Sequence, residues 1–201
     1  MITTDETGKI RRITLDRPER KNALTRDGLD QLHDTVLEAT EPVLYLRGAG
    51  DAFCAGADLD IVSALDEETA AGFAEQGQDV ARALEQYDGT VVAGIDGPAR
   101  GGGVELALAC DLRIATPAAT FAESGVTLGL FGAWGGTARL PRVVGEGAAL
   151  DIALSGRVLD ATEAKACGLC SRIVEEPRTV AESLAENDPT AMCRIKERIR
   201  D

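Results

Sequence analysis

Weak alternation of apolar and polar positions over residues 10–15, with Ile10, Ile13 and Leu15 apolar, predicts a strand that runs out in the polar, proline-containing loop of residues 16–22. Thr25 is placed to cap a helix N-terminus, and Leu29, Leu32, Val36 and Leu37 form a helical stripe ending near residue 39. Residues 43–46 read as a short buried strand, 48–51 as a turn, 52–60 as a loop of small residues and 69–87 as a long acidic amphipathic helix. The apolar run 91–95 predicts a strand, and a helix-like run follows the three glycines at 101–103. Further strands are expected at 112–115, 120–122 and 172–174, helices at 148–154 and 161–167, and a polar helical tail over 180–201; residues 125–136 are loop-rich. Strands and helices alternate, which defines an α/β protein, and no repeat or low-complexity linker divides it.

The organising stretch is Gly101-Gly102-Gly103-Val104-Glu105, where a strand gives way to a helix. Glycines there let other atoms approach the backbone, and the free N–H groups of a helix start favour negative charge. Glu105 falls in the first turn beside them. A backbone donor next to a carboxylate is half of a site for enolate chemistry; the same pattern also serves as a packing turn with a glutamate complementing the helix dipole.

Composition narrows the classes. With 34 acids against 21 bases the net charge is −13, a poor surface for nucleic acid. Carboxylate spread along the chain, with only four lysines, suggests a halophilic protein kept soluble in concentrated salt. Such a protein unfolds when salt is dialysed away, which a thermal melt in dilute buffer checks. No apolar run approaches the roughly 18 residues that span a bilayer, and residues 1–6 lack a signal-peptide layout, so a cytoplasmic location without membrane contact is expected. Five cysteines argue against a disulfide framework, and Cys167-Gly168-Leu169-Cys170 reads as two incidental thiols at a helix end. His33 is the only histidine, so no His-rich metal site is expected.

Three stretches taken together resemble the enoyl-CoA hydratase/isomerase (crotonase) superfamily. They are Leu15-Asp16-Arg17-Pro18-Glu19-Arg20-Lys21-Asn22-Ala23-Leu24, Phe53-Cys54-Ala55-Gly56-Ala57-Asp58-Leu59, and residues 97–111 around the three glycines. Gly135-Gly136-Thr137-Ala138-Arg139-Leu140 and residues 161–169 follow in the same order and spacing. The resemblance implies a crotonase-like ββα spiral, a homotrimer or dimer of trimers, and an acyl-CoA thioester as substrate with no further cofactor. Members of that family generally continue in helices that cover the CoA or a neighbouring subunit. A core domain of residues 1–175 with a shortened C-terminal helical region, 176–201, is therefore expected.

The resemblance also implies site residues. The N–H groups of Ala57 and Gly102 map to an oxyanion hole, in which each donor is worth on the order of 3 kcal/mol of barrier. Lys21, Ala23 and Leu24 map to the adenosine end of CoA, and Ala55, Asp58, Leu59 and Asp60 to its arm. Arg17 and Lys21 are candidates for the phosphates, and equally plain surface charges. Gly101, Gly125 and Trp134 would line the acyl group. Glu105 matches one of two catalytic glutamates. The position of the second is Gly125 here, and Glu123, two residues earlier, reaches the site only through a shifted turn. Hydration of a 2-enoyl-CoA is the leading expectation. Isomerisation, decarboxylation or thioester hydrolysis with one carboxylate is the alternative, and a catalytically silent acyl-CoA-binding or scaffold subunit the reading from another class.

Overall fold

The computed structural model describes residues 1–200. It opens with strands β1 (Ile2–Thr7) and β2 (Ile10–Leu15), an antiparallel hairpin. Helix α1 (Arg26–Leu37) follows, capped by the Thr25 hydroxyl, which accepts from the Gly28 N–H at 3.0 Å. Next come β3 (Val43–Gly48), the short α2 (Leu59–Val62), α3 (Glu67–Gln86), β4 (Thr90–Ile95), β5 (Pro98–Arg100) and α4 (Gly102–Ala109). The chain continues through β6 (Leu112–Ala115), β7 (Thr120–Ala122), α5 (Gly136–Val144), α6 (Glu146–Ser155), β8 (Leu159–Asp160), α7 (Ala161–Ala166) and β9 (Arg172–Ile173). It ends in α8 (Arg178–Ala185) and α9 (Pro189–Arg200), two helices where the pattern predicts one; three residues separate them, and Pro189 opens the second.

Two sheets organise these elements. The larger has the order β1-β2-β3-β4-β6-β9, parallel from β2 onward. Its central strands are buried on both faces, which is why they read as continuous apolar runs. Leu44, Leu46, Val91, Ala93 and Ile95 face the main core with α1, α3 and α4. Val43, Tyr45 and Val92 pack on the other face under Val180, Ala181 and Ala185 of α8. Helix α4 is apolar apart from Glu105, because it is buried on all sides beyond its first residue. Helix α9 is held by Lys196, whose ammonium donates to the carbonyls of Tyr87 (2.7 Å) and Gly89 (2.9 Å) and pairs with Asp111.

The small sheet, β5-β7-β8, positions the site. An isolated bridge, Cys54 to Ala99, adds the 53–54 segment beside β5. Arg100 N–H donates to Cys54 O and Gly101 N–H to Ala122 O, both at 2.9 Å. Successive strand–strand–helix turns of the chain therefore leave this sheet side by side, at residues 55–57, 101–102 and 123.

The 16–24 loop is held by Asn22, which is fully buried. Its amide donates to the carbonyls of Ala49 (2.9 Å) and Ala52 (2.8 Å) and its oxygen accepts the Arg17 N–H at 3.0 Å. Lys21 and Asn22 both lie in the left-handed region (φ 52° and 59°), which asparagine tolerates better than most side chains. Asn22→Ala strands these partners in the interior. It is expected to cost at least about 2 kcal/mol of stability, read from the urea midpoint at unchanged m.

Candidate active site

The N–H groups of Ala57 and Gly102 lie on adjoining segments. A Cβ built on Gly56 would stand 2.7 Å from Arg100 O and 2.8 Å from Gly102 N, so only glycine lets the two backbones approach this closely. Gly56 itself has φ +84°. Gly102 is the first residue of α4, and Ala57 flanks the bridge to Leu24 through its neighbours' groups. Among the described residues neither N–H donates to an acceptor. Both residues line a cavity of about 360 Å³.

Glu105 enters this cavity from the first turn of α4. It is buried, and its Oε2 accepts the N–H of Gly136, the first residue of α5, at 2.6 Å. Burial pushes the carboxyl up to about 7; the N–H groups of Gly136 and Trp134, and the Arg139 charge, pull the other way. A Cβ on Gly136 would sit 2.8 Å from Glu105 Cγ, so that glycine leaves the carboxylate its place. Gly136 belongs to the quoted Gly-Gly-Thr stretch, but no role follows for it from the sequence. Its signal is the one carried by residues 101–103: glycines at a helix start.

Glu123 follows β7 directly, beside Gly101, and lines the same cavity. No shifted turn is needed: the register of β7 on β5 carries it there. It is 7% exposed, and its Oε1 is buried without a hydrogen-bond partner. Burial, then repulsion from Glu105, pushes it up to about 8. Gly125 also lines the cavity, within the tight turn of residues 124–128. Two buried carboxyl groups thus share one cavity, one with a donor and one without.

Trp134 is buried, edge-on to Phe73 with ring centroids 5.8 Å apart. A Cβ on either Gly77 or Gly102 would overlap its indole, so the ring is wedged between α3 and the start of α4. Gly102→Ala is therefore expected to move the Gly102 N–H and, on the oxyanion role expected of it from the sequence, to lower kcat by about 100-fold. In the Trp134→Leu background the added methyl has room, and the loss should shrink, a coupling that a double-mutant cycle measures.

The residues expected to contact CoA fall partly in the cavity and partly beside it. The Leu24 side chain is fully buried in the core, and Ala23 is buried beneath Arg17, which donates to its carbonyl at 3.2 Å. Asp58 is buried and held by Arg17 (2.5 Å) and Arg20 (3.2 Å), which lower its pKa against the cost of burial; it does not line the cavity. Asp58 and Arg17 are thus paired with each other, outside the cavity lining. Asp60 is exposed and pairs with Arg20, and Lys21 is exposed and pairs with Asp51 at 2.7 Å. Ala55 and Leu59 do line the cavity, as does Gly101.

Fold and site together define a spiral α/β protein with two free N–H donors and two buried carboxyl groups around one cavity. The family model for enoyl-CoA hydratase/isomerase matches residues 5–201, and the chain belongs to that family. A crotonyl-CoA hydratase from Syntrophomonas wolfei is 36% identical over 90% of this chain and 72% of its own length. A short-chain-enoyl-CoA hydratase from Clostridium acetobutylicum is 34% identical over 98% and 80%. The crystal structure of an enoyl-CoA hydratase from Bacillus anthracis superposes with a TM-score of 0.94 at 36% identity, covering all of this chain and 82% of that one. The crotonase fold follows. No described helix is long and apolar enough to cross a membrane.

Proposed function

We propose that the protein hydrates 2-enoyl-CoA thioesters to 3-hydroxyacyl-CoA, reversibly. The observation that carries this is the pair Glu105 and Glu123, both buried in the cavity that holds the Ala57 and Gly102 N–H groups. The thioester carbonyl docks on those two N–H groups, an oxyanion hole that stabilises the enolate as charge develops. Glu105, whose carboxylate is supported by the Gly136 N–H, is ionised first and holds the attacking water. Glu123, without a donor, keeps its proton longest. Water adds to Cβ and its proton passes to Glu105, while Glu123 gives its proton to Cα. Proton return from Glu105 to Glu123 resets the site. Two carboxyl groups driven apart by their surroundings divide the base and acid roles.

The isomerase reading needs only one carboxylate, and the second buried one favours hydration over it. Loss of conjugated-thioester absorbance on mixing with crotonyl-CoA tests the proposal. Appearance of 3-hydroxybutyryl-CoA is the expected result. Binding of the thioester with no turnover would instead favour the silent binder.

A further inference from the structure

Glu105 and Glu123 are both buried in one cavity, yet only Glu105 has a backbone donor. That donor belongs to the turn of residues 133–136, and the carbonyl edge of the turn is tied down from outside. Gln78 of α3 donates its Nε2 to Ala133 O at 2.8 Å. Arg139 of α5 donates its Nη1 to Trp134 O at 3.3 Å. Arg139 is in turn fixed by Glu85 of α3, whose Oε2 accepts from Nη2 at 2.6 Å and from Nε at 3.2 Å. Gln78 and Glu85 lie about two helical turns apart, on one face of α3. Gly135 makes room for this arrangement: its φ is +107°, and a Cβ on it would overlap Arg139 Nη1.

We propose that Gln78 and Arg139 are positioning residues for Glu105: by holding the carbonyl edge of the 133–136 turn they aim its N–H edge at the carboxylate, and so decide which of the two acids gives up its proton first. The inference rests on the hydratase reading for its catalytic consequence, though not for the titration itself. A peptide unit is planar and trans, so its C=O and N–H point opposite ways. Drawing the Ala133 oxygen toward α3 turns the Trp134 N–H, in the same unit, toward Glu105. Holding the Trp134 oxygen fixes the next unit, from which the chain turns at Gly135 to present the Gly136 N–H to Oε2 at 2.6 Å. Both N–H groups favour the ionised carboxyl against the burial that opposes it. The charged groups that act on Glu105 are Arg139, from α5, and Glu123, from the end of β7; among the described residues α3 contributes no charge to the cavity wall. With the turn released, Glu105 is left like Glu123 with burial alone, and the difference that separates base from acid is lost.

The test follows the Glu105 carboxyl carbon by NMR in protein labelled at the glutamate Cδ, the resonance being assigned by its loss in Glu105→Gln. Gln78→Met removes the donor to Ala133 O without changing any charge, and should raise the Glu105 midpoint by about one pH unit. The double variant Glu85→Gln/Arg139→Met removes the ion pair from both sides, so no charge is left without its partner, and should raise the midpoint by at least as much. Gln76→Met is the matched control on the same helix. It loses hydrogen bonds to Arg26 and Asp30, away from the turn, and should leave the midpoint in place. In turnover of crotonyl-CoA the acidic limb should move up with the midpoint, so that Gln78→Met has a kcat at pH 6 about tenfold below wild type and a KM within about twofold. A wild type that hydrates nothing while the midpoints move as stated refutes the hydratase reading and keeps the positioning role. The proposal is overturned if Gln78→Met lowers Tm and activity with the Glu105 midpoint unmoved, which is the result of a purely structural contact. It is equally overturned if the Glu105 and Glu123 midpoints fall together, as when water enters a loosened site, or if Gln76→Met raises the Glu105 midpoint as much as Gln78→Met does.

Discussion

Glu105→Gln is expected to lower kcat for crotonyl-CoA by about 1,000-fold while KM changes by less than about threefold. The glutamine keeps an oxygen to accept the Gly136 N–H, so the helix starts that meet at this side chain stay in place. It removes the group that can take a proton from water, a contribution of about 10²–10⁴ in rate. In the proposed mechanism Ala57 and Gly102 still hold the carbonyl, so ground-state binding survives and the loss appears in kcat. The pH profile gives a second reading. Wild-type kcat/KM should follow a narrow bell between apparent pKa values of about 7 and about 8, because Glu105 must be ionised and Glu123 protonated. Any residual activity of the variant should lose the acidic limb. A variant that keeps more than a tenth of the activity would show that Glu105 is not the base.

The positions of the two acids show how far a one-dimensional pattern reaches. Glu105 is legible because three glycines at a strand–helix junction announce a helix start, and its first turn is fixed by the helical repeat. Glu123 is not legible in the same way. Counting from Gly135-Gly136-Thr137 puts the second acid at Gly125, but what brings residue 123 into the cavity is the pairing of β7 with β5. Register between two three-residue strands, one beginning with Pro98, leaves no periodic trace. The hairpin strand β1 is hidden for another reason. After Ile2 it is polar and exposed along its length, so it has no buried face to print an apolar alternation. Helix α5 starts in Gly135-Gly136 and carries Pro141, both of which read as loop signals. By contrast β3, β4 and α1 follow the pattern closely, because each buries a face or both. The loop at 16–24 sits between these cases. Its motif is recognisable, but the function of Asn22 as its internal fastening depends on carbonyls about thirty residues away.

Glu123→Gln should separate activity from stability. Loss of the acid that protonates Cα predicts a fall in kcat of about 100-fold or more, with the basic limb of the profile removed. Stability should move the other way, and only at high pH. In the folded protein Glu123 titrates at about 8, against 4.5 for an unperturbed glutamate. As pH rises from 4.5 to 8 the unfolded chain releases a proton that the folded protein keeps, so the wild type loses stability through that window and stays lower above it. The cost of ionising a carboxyl whose Oε1 has no partner is on the order of 5 kcal/mol at one pKa unit per 1.36 kcal/mol. The glutamine amide is itself unpartnered in the same place, which takes back at least about 1 kcal/mol. A net gain of about 1–3 kcal/mol above pH 8 follows, or about 3–8 °C in Tm for a chain of this size. At pH 4 and below, where the wild-type carboxyl is mostly protonated in both states, the advantage should vanish or reverse. Thermal melts of both proteins across pH 4–9 decide this: curves that meet in acid and separate in base identify Glu123 as a proton held by burial. Parallel curves would mean that the carboxyl is not kept protonated by its site, and the acid in the mechanism would have to be sought elsewhere.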